Sequence, residues 1–250
     1  PAVTDYDLII IDEAHSSTAG KDMAAITMTL GSGEDTEADV EDSADEIPLE
    51  VPAKVPLEAP DSEGEGTGDN DILVAYFSWA DNAIRAEDVD AVSSPSVLPP
   101  GNVQQLAGWV QEETGGDLFS IRVAEPYPSD WDECLERANE ERGEDARPEL
   151  VENVANLDQY DTVFLGYPNW WYGAPMALLS FLEQNDLSGK QVYLFCSHGT
   201  GGLAGSVEQI TEAAPDAIIS DNIFDCYEEE AAYSEEEIKA WTAERKYNHE

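Results

Sequence analysis

Three runs of six residues, Ile72–Phe77 (ILVAYF), Thr162–Tyr167 (TVFLGY) and Gln191–Cys196 (QVYLFC), set the limits on what this chain can fold into. Each is apolar almost throughout and rich in β-branched and aromatic side chains, so it has no polar face to turn toward water. A half-exposed strand would alternate, and a buried helix would need a longer run. Strands buried on both faces require cover on both faces, which in a single domain comes from helices placed between them. The intervening sequence supplies those helices. Val103, Leu106, Ala107 and Val110 recur at i, i+3, i+4 and i+7, and Met176, Leu179, Phe181 and Leu182 form another apolar stripe. Asn102 with Gln105 reads as a capping box at the start of the first. Trp131–Arg142, Leu203–Ala213 and Glu235–Arg245 complete the helical set, and Leu118–Val123 and Ala217–Phe224 are weaker strand candidates. The pattern predicts an α/β, doubly wound parallel sheet, whose ligand site lies at the carboxyl ends of the strands where their order reverses.

That domain is expected to occupy residues 71–250. Ahead of it, residues 34–70 hold fourteen acidic side chains, a single base at Lys54 and no aromatics, with prolines at 48, 52, 56 and 60. Such a segment cannot bury enough apolar surface to offset its ordering entropy, so an acidic, disordered linker is expected there. Residues 1–33 form an N-terminal segment of open structure. It contains Asp5–His15 (DYDLIIIDEAH), whose last four residues resemble the DEAH box of superfamily 2 helicases and nucleases. That chemistry needs a phosphate-cradling GxxxxGK[ST] loop ahead of the box, and the chain has none, so a chance match or a spliced fragment is the expected reading. Residues 21–33 have the order of a bacterial lipoprotein leader and tether, with Gly31 where the lipid-bearing cysteine would stand.

Charge removes several function classes. Fifty-five acidic against 11 basic side chains give a net charge of -44 in 250 residues. This field repels phosphate backbones and anionic headgroups, which argues against nucleic-acid binding and a polybasic membrane dock. An anionic ligand would have to be held by backbone dipoles. No apolar run reaches the length of a membrane span. Cys134, Cys196 and Cys226 are odd in number, widely spaced and without a CxxC, so neither a disulfide framework nor a metal site is expected. The compartment is cytoplasmic by default; the start at Pro1 fits a processed or truncated product, and a missing leader would make the protein an extracytoplasmic, tethered one.

The segments following the strands carry the most specific signals. YFS at Tyr76–Ser78, EPYPSDWDEC at Glu125–Cys134, DARPEL at Asp145–Leu150 and YDTVFLGYPNWWYGAP at Tyr160–Pro175 occur together and in order. From about Asp71 to about Trp241 the chain resembles the flavodoxins, specifically the bacterial group with a GYPNWW loop. The resemblance implies five parallel strands in the order 2-1-3-4-5 and a bound FMN. It implies a phosphate loop after the first strand, built from hydroxyls and helix N-terminal amides. Here Ser78 matches the opening hydroxyl, the Gly-Asn pair comes only at Gly101 and Asn102, and Val103 replaces the closing threonine. Residues 79–100 then form an insertion at the mouth of the site. The alternative register, Ala80–Ala83, would set Asp81 beside a phosphate. The resemblance further places Pro168, Asn169, Trp170, Trp171, Tyr172 and Gly173 along one wall of the flavin ring. Ser197, His198, Gly199, Thr200, Gly201 and Gly202 line the other. His198 is either a cation close to the pyrimidine edge or a solvent-facing or helix-capping loop residue.

The function expected from this is an FMN-binding redox protein that transfers electrons through its flavin to a partner protein. The alternatives are a small FMN-dependent NAD(P)H or quinone reductase, with a small quinone or nicotinamide substrate, and a flavodoxin-like module that has lost FMN. No catalytic side chain and no metal ligand is singled out.

Overall fold

The computed structural model describes residues 71–84 and 95–244. The expected N-terminal segment and acidic linker, with the DEAH-like box and the leader-like stretch, lie outside the described residues, as do residues 85–94 of the insertion. In chain order the elements are β1 (Ile72–Phe77), α1 (Trp79–Asn82), β2 (Ala83–Ile84), α2 (Asn102–Thr114), β3 (Asp117–Ile121), β4 (Tyr127–Pro128), α3 (Trp131–Gly143), β5 (Thr162–Pro168), α4 (Met176–Gln184), β6 (Gln191–His198), α5 (Ser206–Ala213), β7 (Ile218–Ile219), β8 (Phe224–Tyr227) and α6 (Glu235–Glu244).

The main sheet runs β3-β1-β5-β6, and β7 and β8 share the outer edge of β6; every pairing is parallel. This is the expected 2-1-3-4-5 order, with the fifth strand in two pieces. The three apolar runs are its central strands. β1 and β5 are buried at every residue, and β6 at all but Gln191.

Because side chains alternate across a strand, these runs feed two cores at once. On one face Leu73, Ala75, Phe77, Val163, Leu165 and Leu194 pack with Ala138, Leu178, Phe181 and Ile210, under α3, α4 and α5. On the other, Val74, Phe164, Tyr193 and Phe195 pack with Leu106, Val110, Ile238 and Trp241, under α2 and α6. Trp241 sits edge-on to Phe164 at 5.5 Å between centroids. Gly166 interrupts the apolar run of β5 for a packing reason. A Cβ there would lie 2.2 Å from the Phe195 ring of the neighbouring strand.

The weak fifth strand differs from its expected span of Ala217–Phe224. β7 pairs Ile219 with Val192, and β8 pairs Phe224 with Phe195, so four edge residues stand opposite two of β6. This bulge is held by Ser220 N–H on the Val192 carbonyl at 2.8 Å and by Trp241 Nε1, which donates to the Asn222 carbonyl at 3.2 Å. The strand then runs on to Tyr227.

Candidate functional site

The carboxyl ends of β1, β5, β6 and β8 converge, and the loops that leave them are tied to one another. At the end of β1, Ser78 is buried and the chain turns into the single turn of α1. Asn82 closes that turn. Its Nδ2 donates to the carbonyls of Ser78 (2.8 Å) and Ile121 (3.0 Å), while its Oδ1 accepts from Val123 N–H (2.8 Å). Asp81 accepts from Ser120 Oγ at 2.7 Å. The Ala80–Ala83 stretch therefore fastens β1 to β3 with its polar side chains.

Gly101 occupies the N-cap of α2, with φ -63° and ψ 165°. A Cβ at Gly101 would fall 2.6 Å from Ser78 Oγ and 2.7 Å from the Ser96 carbonyl, so only glycine allows this approach. Asn102 is thus the first helical residue and not the cap expected from its spacing to Gln105. Its side chain leaves the helix instead, with Nδ2 donating to the Glu228 carbonyl at 2.9 Å and lying 3.5 Å from Ser197 Oγ. Val103 departs from expectation in a second way. Its side chain is buried in the core beneath α2. What position 103 offers an anion is its backbone N–H, one of the first-turn amides that a helix cannot bond internally. The structure brings Ser78, Gly101 and Asn102 together, all of them buried.

After β5, Trp170 and Gly173 exchange backbone hydrogen bonds of 2.9 and 3.0 Å around a two-residue turn. Trp171 and Tyr172 at its tip have φ of 54° and 60°, a region that costs bulky L-residues energy. Burial of the tryptophans offsets that cost. Trp170 is 4% exposed and stands edge-on to Phe77 (5.4 Å) and Tyr127 (5.2 Å). Trp171 is 8% exposed and its Nε1 donates to the Leu135 carbonyl at 3.2 Å. The expectation that both rings line a ligand wall is accordingly narrowed: they are core residues, and Tyr172, 38% exposed, is the ring left at the surface. Gly173 packs where a Cβ would meet Gln209 Oε1 at 2.5 Å, and that oxygen accepts from Ala174 N–H.

Asn169 couples this loop to the next. Its N–H donates to the Ser197 carbonyl at 2.9 Å, and its Nδ2 donates to the Gly202 carbonyl. Its Oδ1 is buried with no hydrogen-bond partner among the described residues.

The loop after β6 holds its shape by polar contacts. His198 is 9% exposed; its Nδ1 lies 2.7 Å from the Gly199 carbonyl and its Nε2 2.8 Å from Asp225 Oδ2. This geometry removes one of the sequence alternatives for His198, since the ring neither caps α5 nor faces solvent. Gly202 takes φ 61° and returns its N–H toward the Gly199 carbonyl. Thr200 is exposed at the tip.

Burial holds Tyr167 well above the ordinary phenol range, with its hydroxyl 2.9 Å from Ser206 Oγ. Burial likewise pushes the Cys226 thiol up to about 12. Cys134, Cys196 and Cys226 are all free and buried. Among the described residues there is no group of three or more His, Cys, Asp or Glu placed to hold a metal. No helix among them is long and apolar enough to cross a membrane.

Sequence reasoning met Asn82 only inside the alternative Ala80–Ala83 register, and missed Asp225 and a clamp around Tyr127. Asp225 had a signal, because Phe224-Asp225-Cys226 alternates buried, exposed, buried on an edge strand. In the clamp, Arg137 lies 4.1 Å over the Tyr127 ring and pairs with Glu141 at 2.9 Å, while the Tyr127 hydroxyl donates to Glu141 at 2.7 Å. The clamp backs Trp170 from below.

Comparison with known proteins gives a consistent picture. The sequence profile of the flavodoxin family matches residues 71–245. The fold matches a crystal structure of a candidate flavoprotein from Bacteroides eggerthii DSM 20697 at 27% identity and TM-score 0.53, covering 70% of this chain and 97% of that one. A second candidate flavoprotein, from Bacteroides uniformis ATCC 8492, shares the fold at 24% identity and TM-score 0.54, over 70% of this chain and 98% of that one. A flavoprotein from Lactobacillus acidophilus NCFM, crystallised in complex with FMN, does so at 17% identity and TM-score 0.50, over 69% and 99%. A search of the curated proteins gave no match.

Proposed function

The chain belongs to the flavodoxin family, and we propose that it holds FMN at the carboxyl ends of β1, β5 and β6 and transfers electrons to a partner protein. The observation that carries this reading is the convergence there of a helix N-terminus, a glycine that no other residue could replace, and two loops cross-linked by Asn169. Ser78 and the first amides of α2, at Asn102 and Val103, would hold the phosphate. This uses dipoles and a hydroxyl instead of basic side chains, which suits a chain with a net charge of -44. Pro168 and Asn169 lead into the tip at Tyr172 on one side of the ring, and Ser197–Gly202 flank the other. The orphaned Asn169 Oδ1 fits a ligand N–H or O–H, since an unmet buried acceptor costs about 1–3 kcal/mol. Bound FMN supplies one- and two-electron transfer; the chain supplies orientation and exclusion of water.

The acidic surface suits a partner with a basic face, so association should slow as salt is raised. Turnover of NAD(P)H or quinone by the FMN-loaded protein would instead mark a small reductase. One observation favours a module without flavin: Ser78, Gly101, Asn102 and Val103 are all buried. An absorption spectrum of the purified protein and an FMN titration decide between these readings. Flavin absorbance with quenched flavin fluorescence is expected. A colourless protein whose tryptophan fluorescence ignores added FMN would overturn both the carrier and the reductase readings.

A further inference from the structure

We infer that His198 and Asp225 form a proton-operated latch on the Gly199–Gly202 loop, which keeps its present shape only while the imidazole carries two protons. The consequence for flavin rests on the FMN reading above; the latch itself does not.

The argument is one of donors and acceptors. Nδ1 faces the Gly199 carbonyl at 2.7 Å and Nε2 faces the Asp225 carboxylate at 2.8 Å, and both partners can only accept. A neutral imidazole has one N–H, so the two contacts together need one proton more than a neutral ring and a carboxylate contain. When that proton leaves, the remaining one stays toward the carboxylate, the stronger, charge-assisted acceptor. The Nδ1 lone pair is then left against a carbonyl oxygen at hydrogen-bond distance, and that end of the loop must move. The other end cannot respond, because it is held by the non-titrating amide of Asn169 on the Gly202 carbonyl. Glycines at 199, 201 and 202 give the segment the backbone freedom to swing between the two anchors.

The groups packed around His198 leave the imidazole as the one whose proton count the two contacts fix. On β5, Tyr167 is held neutral by burial, and on β8 so is Cys226. Cys196 on β6 is a buried thiol. The first turn of α2, which reaches the site through Asn102, has no acidic side chain. Asp225 and Glu228 supply carboxylates on this side, and Glu230 and Glu237 lie near enough to act on Cys226; Glu228 N–H donates to the His198 carbonyl at 2.8 Å and its side chain is buried. The Tyr227 ring stands edge-on to the imidazole at 6.2 Å. A doubly protonated His198 is thus a cation among carboxylates, beside the loop proposed to flank the flavin. The latch is closed while the ring is doubly protonated and opens when rising pH removes that proton, and FMN affinity falls in the same direction.

The test begins with the full chain free of flavin. The ring Cε1–H of His198 and the amides of Gly199–Gly202 are followed by NMR as pH is raised through neutrality. One shared midpoint is expected, moved to lower pH in Asp225→Asn and absent from the loop amides in His198→Gln. Loop amides that do not follow the ring in the native chain overturn the latch. The FMN dissociation constant is then measured on both sides of that midpoint. A rise of about fivefold or more is expected for the native chain and none for His198→Gln. Shared titration with unchanged FMN affinity overturns the link to the site, whereas failure to bind FMN at any pH overturns the flavin reading and leaves the first titration to decide the latch.

Discussion

The loops after β5 and β6 lie side by side but are built from opposite materials. The first is fixed by side-chain burial: two tryptophans pushed into the core hold a turn whose backbone is unfavourable for its tip residues, Trp171 and Tyr172. The second has four small residues at its tip and is fixed by hydrogen bonds from His198 at one end and Asn169 at the other. Apolar packing changes little with pH or salt, while a hydrogen-bonded loop anchored by an ion pair responds to both. One wall of the candidate site is thus rigid and the other adjustable, and Asn169 is where they meet.

The contrast can be broken most forcefully at Trp170. Trp170→Ala removes a ring packed against Phe77 and Tyr127 and should cost about 3–5 kcal/mol of stability, read by chemical denaturation. A loss under about 1 kcal/mol would mean that the turn holds itself without its anchor. Next comes Asn169→Ala, which uncouples the loops while leaving the core intact. FMN affinity should fall by about 5- to 100-fold, with a smaller change in the denaturation midpoint. An equal loss in both measurements would show that the amide is simply a structural bond. The smallest effect has the opposite sign. Tyr172→Asn places a residue that tolerates the left-handed region at the turn tip, and should stabilise the apoprotein by up to about 1 kcal/mol. The same change removes an aromatic face and should weaken FMN by about 0.5–1.5 kcal/mol.

The central strands were legible because burial on both faces leaves no room for polar residues, and the helices because their apolar stripes must meet that sheet. The loops were legible only through family resemblance, and then unevenly. Asn102 has the spacing of a capping residue, but its partner is the carbonyl of residue 228, and no local pattern encodes a bond across 126 positions. Val103 looked like a lost phosphate ligand because its family position carries a hydroxyl; the side chain belongs to the core. The Trp-Trp pair reads as a wall because the resemblance places a wall-forming loop at these positions. The reversed backbone at Trp171 and Tyr172, which returns the tryptophan rings to the core, leaves no mark in sequence when no glycine is there to announce it. The fifth strand was blurred for a related reason, since two extra residues shift its pairing without changing which face is apolar.

That two-residue bulge bears on how these molecules behave in a crowd. An outer strand with unpaired backbone groups is a template on which a second chain can lengthen the sheet, and repeated addition grows fibrils. Here the template is cut into a piece of two residues and a piece of four, offset from one another, and the segment between them is fastened inward to Trp241. An incoming strand could match one piece or the other but not both, so the edge offers no continuous row for a copy to read.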